Sequence, residues 1–158
     1  MKIKSNIKKL ILCISIPLIV GILSSFLSGN NMVIYDGILK SSLTPPDWVF
    51  PVAWTILYIL MGVASYLVIT SNAESSLISS SIKVYILQLI VNFFWSIIFF
   101  RFNLYLLSFL WIVLLIILIL ITIIRFNKVS KLASYIMIPY LLWTTFAAYL
   151  SLYIYLYN

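Results

Sequence analysis

"LYLLSFLWIVLLIILILITII" (residues 104–124) carries no charge, no glycine and no proline. A helix needs about 20 apolar residues to cross a hydrocarbon core of roughly 30 Å. This run is aliphatic on nearly every side, so it has no polar face to offer water and no apolar stripe that would mark one buried face. It reads as a membrane-spanning helix that faces mainly lipid or another subunit.

The rest of the chain follows from that reading. Of 158 residues, 65% are hydrophobic and 8% charged, with a mean hydropathy of +1.20. Soluble domains run at about 45–50% apolar and about 25% charged. Four more runs come close to spanning length: about Leu10 to Leu27, Val49 to Thr70, Ile82 to Phe100 and Leu132 to Tyr155. All read as helices, because backbone in lipid must satisfy its own hydrogen bonds and the alternation of barrel strands is missing. The expectation is an all-α integral membrane protein, a five-transmembrane-helix bundle formed as one domain over residues 1–158, without a linker to divide it.

Lys2, Lys4, Lys8 and Lys9 precede the first run. It reads as a retained helix because it is longer than the apolar core of a usual signal peptide; a cleaved signal is the alternative. With five crossings, these lysines and Lys83, Arg125, Lys128 and Lys131 fall on one side, and Lys40 and Arg101 on the other. Basic residues stay with the cytoplasm, so the N-terminus is expected inside, the C-terminus outside, and the protein in a bacterial-type plasma membrane. The short Arg101-Phe102-Asn103 connection makes helices three and four antiparallel neighbours.

The net charge of +7 is spread among the spans. It forms no groove-sized basic patch, and no nucleic-acid partner is expected. Cys13 is the single cysteine and histidine is absent, which excludes an internal disulfide and the usual Cys/His zinc sites. The three acids lie outside the apolar spans, so no Ser/His/Asp triad, Cys/His pair or inward carboxylate pair is available; no hydrolytic or metal-dependent site is expected. Ionisable residues are nearly absent from the spans, and no internal repeat is visible, which argues against a coupled carrier.

Polar and aromatic residues mark the faces that look inward. On the third run Gln88, Asn92 and Trp95 recur at i, i+4 and i+7, with Tyr85 a turn earlier and Ser96 beside them. Amides in hydrocarbon are costly unless paired, so this face points into the bundle. The second run repeats the pattern with Trp54, Tyr58 and Gly62, and the fifth with Pro139, Trp143, Ala147 and Ser151. Pro139 frees a carbonyl near residue 135 that needs another partner. Three helices each offering a tryptophan beside small or amide residues suit a shared internal pocket for a flat, amphipathic ring. On the first run, Gly21 with Ser25 and Ser24 with Ser28 set small-xxx-small spacing, which means close helix packing within the bundle or between subunits.

Three stretches carry a resemblance: "YDGILKSSLTPPDWVFPVAWTILYILMG" (35–62), "YILQLIVNFFWSIIFF" (85–100) and "IPYLLWTTFAAYLSLYIY" (138–155). Pro45-Pro46 followed by Trp54-Thr55-x-Leu57-Tyr58, and Gln88 and Asn92 followed by Trp95 and Phe99-Phe100, resemble the translocator protein or tryptophan-rich sensory protein family (TspO/MBR), which includes the peripheral benzodiazepine receptor. The resemblance implies five helices around a pocket capped by the first inter-helix loop, often as a homodimer. It also implies porphyrins, sterols or drug-like amphipathic molecules as ligands, with porphyrin or haem bound as ligand and no tightly bound cofactor. Carried over, Tyr35 is the loop tyrosine, Trp54 the second-helix pocket tryptophan, Asn92 the third-helix polar contact, and Trp143 with Ala147 the fifth-helix wall. Trp48, Tyr58, Gln88, Trp95, Phe146 and Ser151 complete the candidate ligand-binding set.

The chain departs from the family in three places. Lys40-Ser41-Ser42-Leu43 stands where Lys-Pro-Ser-Trp is frequent, and Pro51 lies three residues before Trp54 instead of two. No basic residue follows Tyr153 to complete the sterol-recognition pattern, so physiological sterol binding is not expected. The expected function is a tetrapyrrole-binding sensor or regulator. The alternatives are light- or oxygen-dependent porphyrin degradation, with Trp54 and Trp143 as redox candidates, and carriage of small amphipathic molecules.

Overall fold

The computed structural model describes residues 2–29 and 37–158, with side chains from residue 6 onward. Its helices are α1 (Lys2–Ser28), α2 (Val49–Ile69), α3 (Ser75–Ser96), α4 (Tyr105–Val129), α5 (Lys131–Ile136) and α6 (Ile138–Tyr157). A π-helical turn, Ile97–Arg101, continues α3. Helices α5 and α6 together make the fifth span, Lys131–Tyr157, so five spans among the described residues are long and apolar enough to cross a membrane. No strand occurs among the described residues.

The spans follow one another around the bundle in the order one, two, five, four, three. Span one is the least buried. Its inward stripe is Cys13, Pro17, Gly21, Ser24 and Ser28, while Ile11, Leu12, Ile16, Ile19, Ile22 and Phe26 face outward. The small residues serve packing within the bundle. A Cβ at Gly21 would fall on the Tyr58 ring, and one at Gly62 would lie 2.5 Å from Ile14 Cα and 2.8 Å from the Cys13 carbonyl. Backbone approach this close needs glycine on one side of the contact. Ser24 Oγ donates to the Phe93 carbonyl at 2.6 Å, tying α1 to α3.

Helix α4 corrects an expectation. Its outer half faces lipid, but Ser108, Ile112, Leu115, Ile119, Thr122 and Phe126 form a fully buried stripe against α3 and span five. An aliphatic helix can bury either side, so hydrophobicity alone could not mark this face. The tight turn between α3 and α4 is as expected, with Asn103 at φ 53°, a left-handed conformation asparagine tolerates. Arg101 Nη1 donates to the Leu27 carbonyl at 3.0 Å, supplying a partner in the last turn of α1.

Span five breaks at Met137. Pro139 sits in the first turn of α6, where its missing N–H costs nothing. The Met137 N–H donates to the Ser134 carbonyl at 3.2 Å, closing the last turn of α5. Ser130 caps α5 by accepting from the Ala133 N–H at 3.3 Å.

Candidate functional site

The centre of the bundle is a chain of polar side chains from α2, α3 and α6. The Tyr58 hydroxyl donates to Asn92 Oδ1 at 2.8 Å. Asn92 Nδ2 donates to the Tyr140 hydroxyl at 2.8 Å, and that hydroxyl donates to Gln88 Oε1 at 2.9 Å. Gln88 Nε2 ends the chain on the Met61 sulfur at 3.8 Å. Gln88 and Tyr140 are 0% exposed and Asn92 is 2% exposed, so each bond replaces one that water would otherwise make.

An aromatic cluster sits against this chain. The Trp54 ring lies 5.7 Å from Tyr58, 6.1 Å from Trp95 and 6.2 Å from Tyr140. Trp95 stacks on Phe99 at 5.6 Å. Towards the loop end, Phe50 meets Trp143 edge-on at 6.0 Å, and Trp143 continues to Phe146 at 5.8 Å. The Trp95 and Trp143 Nε1 atoms are buried without a hydrogen-bond partner. Trp111 differs, since its Nε1 donates to the Val91 carbonyl at 2.8 Å and ties α4 to α3.

The first loop crosses to span five. Asn158 Oδ1 accepts from the Leu39 N–H at 2.8 Å, and Asn158 Nδ2 donates to the Leu39 carbonyl at 3.1 Å. The Ser41 and Tyr149 hydroxyls share a bond of 2.9 Å. Lys40 and Asp47 form a surface ion pair at 3.9 Å. Ile38 tucks against the apolar core, so the described part of the loop runs from span five back to the start of α2.

The sequence-predicted residues therefore divide. Trp54, Tyr58, Gln88, Asn92, Trp95, Trp143 and Phe146 come together in or beside the cluster. Ala147 and Ser151 are buried one and two turns beyond Trp143, and the Ser151 hydroxyl is spent on the Ala147 carbonyl at 2.9 Å. Trp48 is 67% exposed and stands apart from them. Tyr35 lies outside the described residues. Sequence reading missed Tyr140, the middle of the polar chain, although its spacing of i+3 and i+7 to Trp143 and Ala147 places it on their face.

Where the sequence led to the expectation of an internal pocket, these described side chains pack against one another. Two open concavities lie elsewhere: one of about 490 Å³ bounded by Asn103, Tyr105, Tyr155 and Asn158, the other of about 300 Å³ along Pro51, Val52, Thr55 and Ile56. The cluster offers flat rings, amides, phenols and two free indole donors. That chemistry suits recognition of a ring with hydrogen-bond acceptors.

Comparison with known proteins agrees with the architecture. The TspO/MBR family model matches residues 13–156. The chain is 38% identical over 147 residues to the tryptophan-rich protein TspO of Chlorobaculum tepidum, covering 92% of this chain and 93% of that one. It is 32% identical over 117 residues to the tryptophan-rich sensory protein of Cereibacter sphaeroides, covering 74% and 72%. Human translocator protein is 31% identical over 131 residues, covering 81% and 76%. A match of this extent, over a bundle of five apolar spans, makes the chain a multi-pass membrane protein that belongs to the TspO/MBR family.

Proposed function

We propose that this protein binds a flat, amphipathic tetrapyrrole between α2, α3 and α6 and acts as a membrane sensor or regulator. The observation that carries the reading is the pair of buried, unpartnered indole N–H groups, Trp95 and Trp143, at the edge of the Trp54 cluster. A buried donor without a partner costs free energy that an acceptor on a ligand recovers. The rings supply area for stacking, and the lysine-rich end, taken as cytoplasmic, leaves the loop on the outer face. The names of the relatives, a tryptophan-rich sensory protein and a translocator protein, support a sensing or carrying role over hydrolytic chemistry.

The test is titration of nanodisc-held protein with protoporphyrin IX in the dark, with empty nanodiscs as the control. Tryptophan quenching should saturate. Trp143→Phe, which keeps a ring and removes the donor, should weaken binding about tenfold, and the Trp54→Phe/Trp143→Phe pair should abolish it. Binding that does not saturate, or is indifferent to these changes, refutes the tetrapyrrole reading. Loss of the porphyrin band under light, in the protein but not the double variant, would add a degradative activity at the same site.

A further inference from the structure

We propose that the ligand reaches the aromatic cluster sideways from the lipid, through the seam between α2 and α6, with the Phe50–Trp143 contact as the gate. This rests on the ligand site proposed above.

Three observations carry it. First, the way in from the loop end is fastened: Leu39 is held by two hydrogen bonds to Asn158, and Ser41 by one to Tyr149. Opening there means breaking three bonds at once, whereas among the described residues the two helices meet through ring contacts, Phe50 on Trp143 edge-on at 6.0 Å towards the loop end and Trp54 on Tyr140 at 6.2 Å deeper in.

Second, α2 lies close to α5 but barely approaches α6. The approach of span two to span five is thus concentrated before the break at Met137, and beyond it rings meet across the seam, Trp54 with Tyr140 and Phe50 with Trp143. Ring contacts can give way by rotation about two side-chain torsions, while packed backbone cannot.

Third, burial is graded along the seam. Phe50, Trp54, Trp143 and Phe146 are only half-buried, while Gln88, Asn92 and Tyr140 behind them are fully buried. These rings therefore keep part of their surface at the outside of the bundle, on two helices that are apolar enough to cross a membrane. A planar ring dissolved among acyl chains would meet this surface before the buried amides of α3. The Trp143 N–H, buried and unpartnered, is the first donor it would find inside the gate.

The experiment is stopped-flow binding of protoporphyrin IX to the nanodisc-held protein at fixed protein and varied ligand-to-lipid ratio. The association rate should follow the amount of ligand in the lipid. Phe50→Ala should raise both association and dissociation rates about tenfold, with little change in affinity. Phe50→Leu, a milder change that keeps an apolar side chain there, should shift both rates in the same direction. Ser41→Ala with Asn158→Ala, which unfastens the loop, should leave both rates within about twofold. The portal is overturned if unfastening the loop accelerates binding while neither Phe50 variant does, and saturable binding would then leave the ligand site standing. Absence of saturable binding in the unaltered protein removes the ligand site and the portal with it.

Discussion

Tyr140→Phe should be the most destabilising single-atom deletion in the core. The hydroxyl accepts from Asn92 and donates to Gln88, at 2.8 Å and 2.9 Å, and the residue is 0% exposed. Its removal leaves Asn92 Nδ2 and Gln88 Oε1 both facing a ring edge with no water to replace the lost oxygen. A buried group left unpaired costs about 1–3 kcal/mol in general. Side-chain hydrogen bonds between membrane helices measure about 0.6 kcal/mol on average and up to about 1.7. Two such losses give about 2–3 kcal/mol for Tyr140→Phe. Tyr58→Phe removes only the donor to Asn92 Oδ1 and should cost about 1 kcal/mol. Adding Gln88→Leu to Tyr140→Phe removes one orphaned acceptor, so the double variant should recover part of the loss, a coupling that a double-mutant cycle measures. The assay is reversible unfolding in mixed micelles against increasing SDS, followed by tryptophan fluorescence. A Tyr140→Phe cost no greater than that of Tyr58→Phe, or a double variant less stable than Tyr140→Phe alone, would refute the polar chain as a stabilising unit.

Gly62→Ala should cost about 1–3 kcal/mol in the same assay, because its Cβ would meet Ile14 backbone that cannot turn aside. Gly21→Ala should instead push the Tyr58 ring, reducing the near-ultraviolet circular dichroism of the core and weakening the bond to Asn92. Ser24→Ala, which loses the link to the Phe93 carbonyl, should cost about 0.6 kcal/mol. Asn158→Ala should speed hydrogen exchange at the Leu39 amide about tenfold, since that N–H then has no acceptor.

The five crossings were legible because lipid imposes them, and the inward face of α3 because an amide in hydrocarbon has to find a partner. The start of α3 was not: it begins at Ser75, a turn or more before the apolar run at Ile82. Its serines break the apolar run that marks a span, yet Ser80 and Ser81 each donate to the Leu77 carbonyl and satisfy themselves within the helix. The buried side of α4 was illegible for the opposite reason, since only Ser108 and Thr122 distinguish it from the lipid side. Tyr140 stands directly after Pro139 with no amide or acid beside it to mark it, and only its partners on α3 show its place in the core. The loop fastening joins Leu39 to Asn158 across 119 positions, a pairing that no local pattern encodes.

The same bundle thus separates two tasks that share one set of helices. The polar chain from Tyr58 to Met61 is closed, each oxygen or nitrogen being used by a neighbour, so a ligand that displaced it would have to replace four interactions. The tryptophans beside it are the reverse, with two indole donors unused and their rings packed against other rings and the apolar core. Ring contacts exchange for other ring contacts at small net cost, whereas a broken buried amide pair does not. Stability is accordingly concentrated in Gln88, Asn92 and Tyr140, and adaptability in Phe50, Trp54, Trp95 and Trp143. A variant of the first group should lose fold and ligand together. A tryptophan variant of the second should weaken ligand binding while the unfolding midpoint stays within about 1 kcal/mol of the parent, and measuring both properties on Trp143→Phe and Tyr140→Phe separates the two groups.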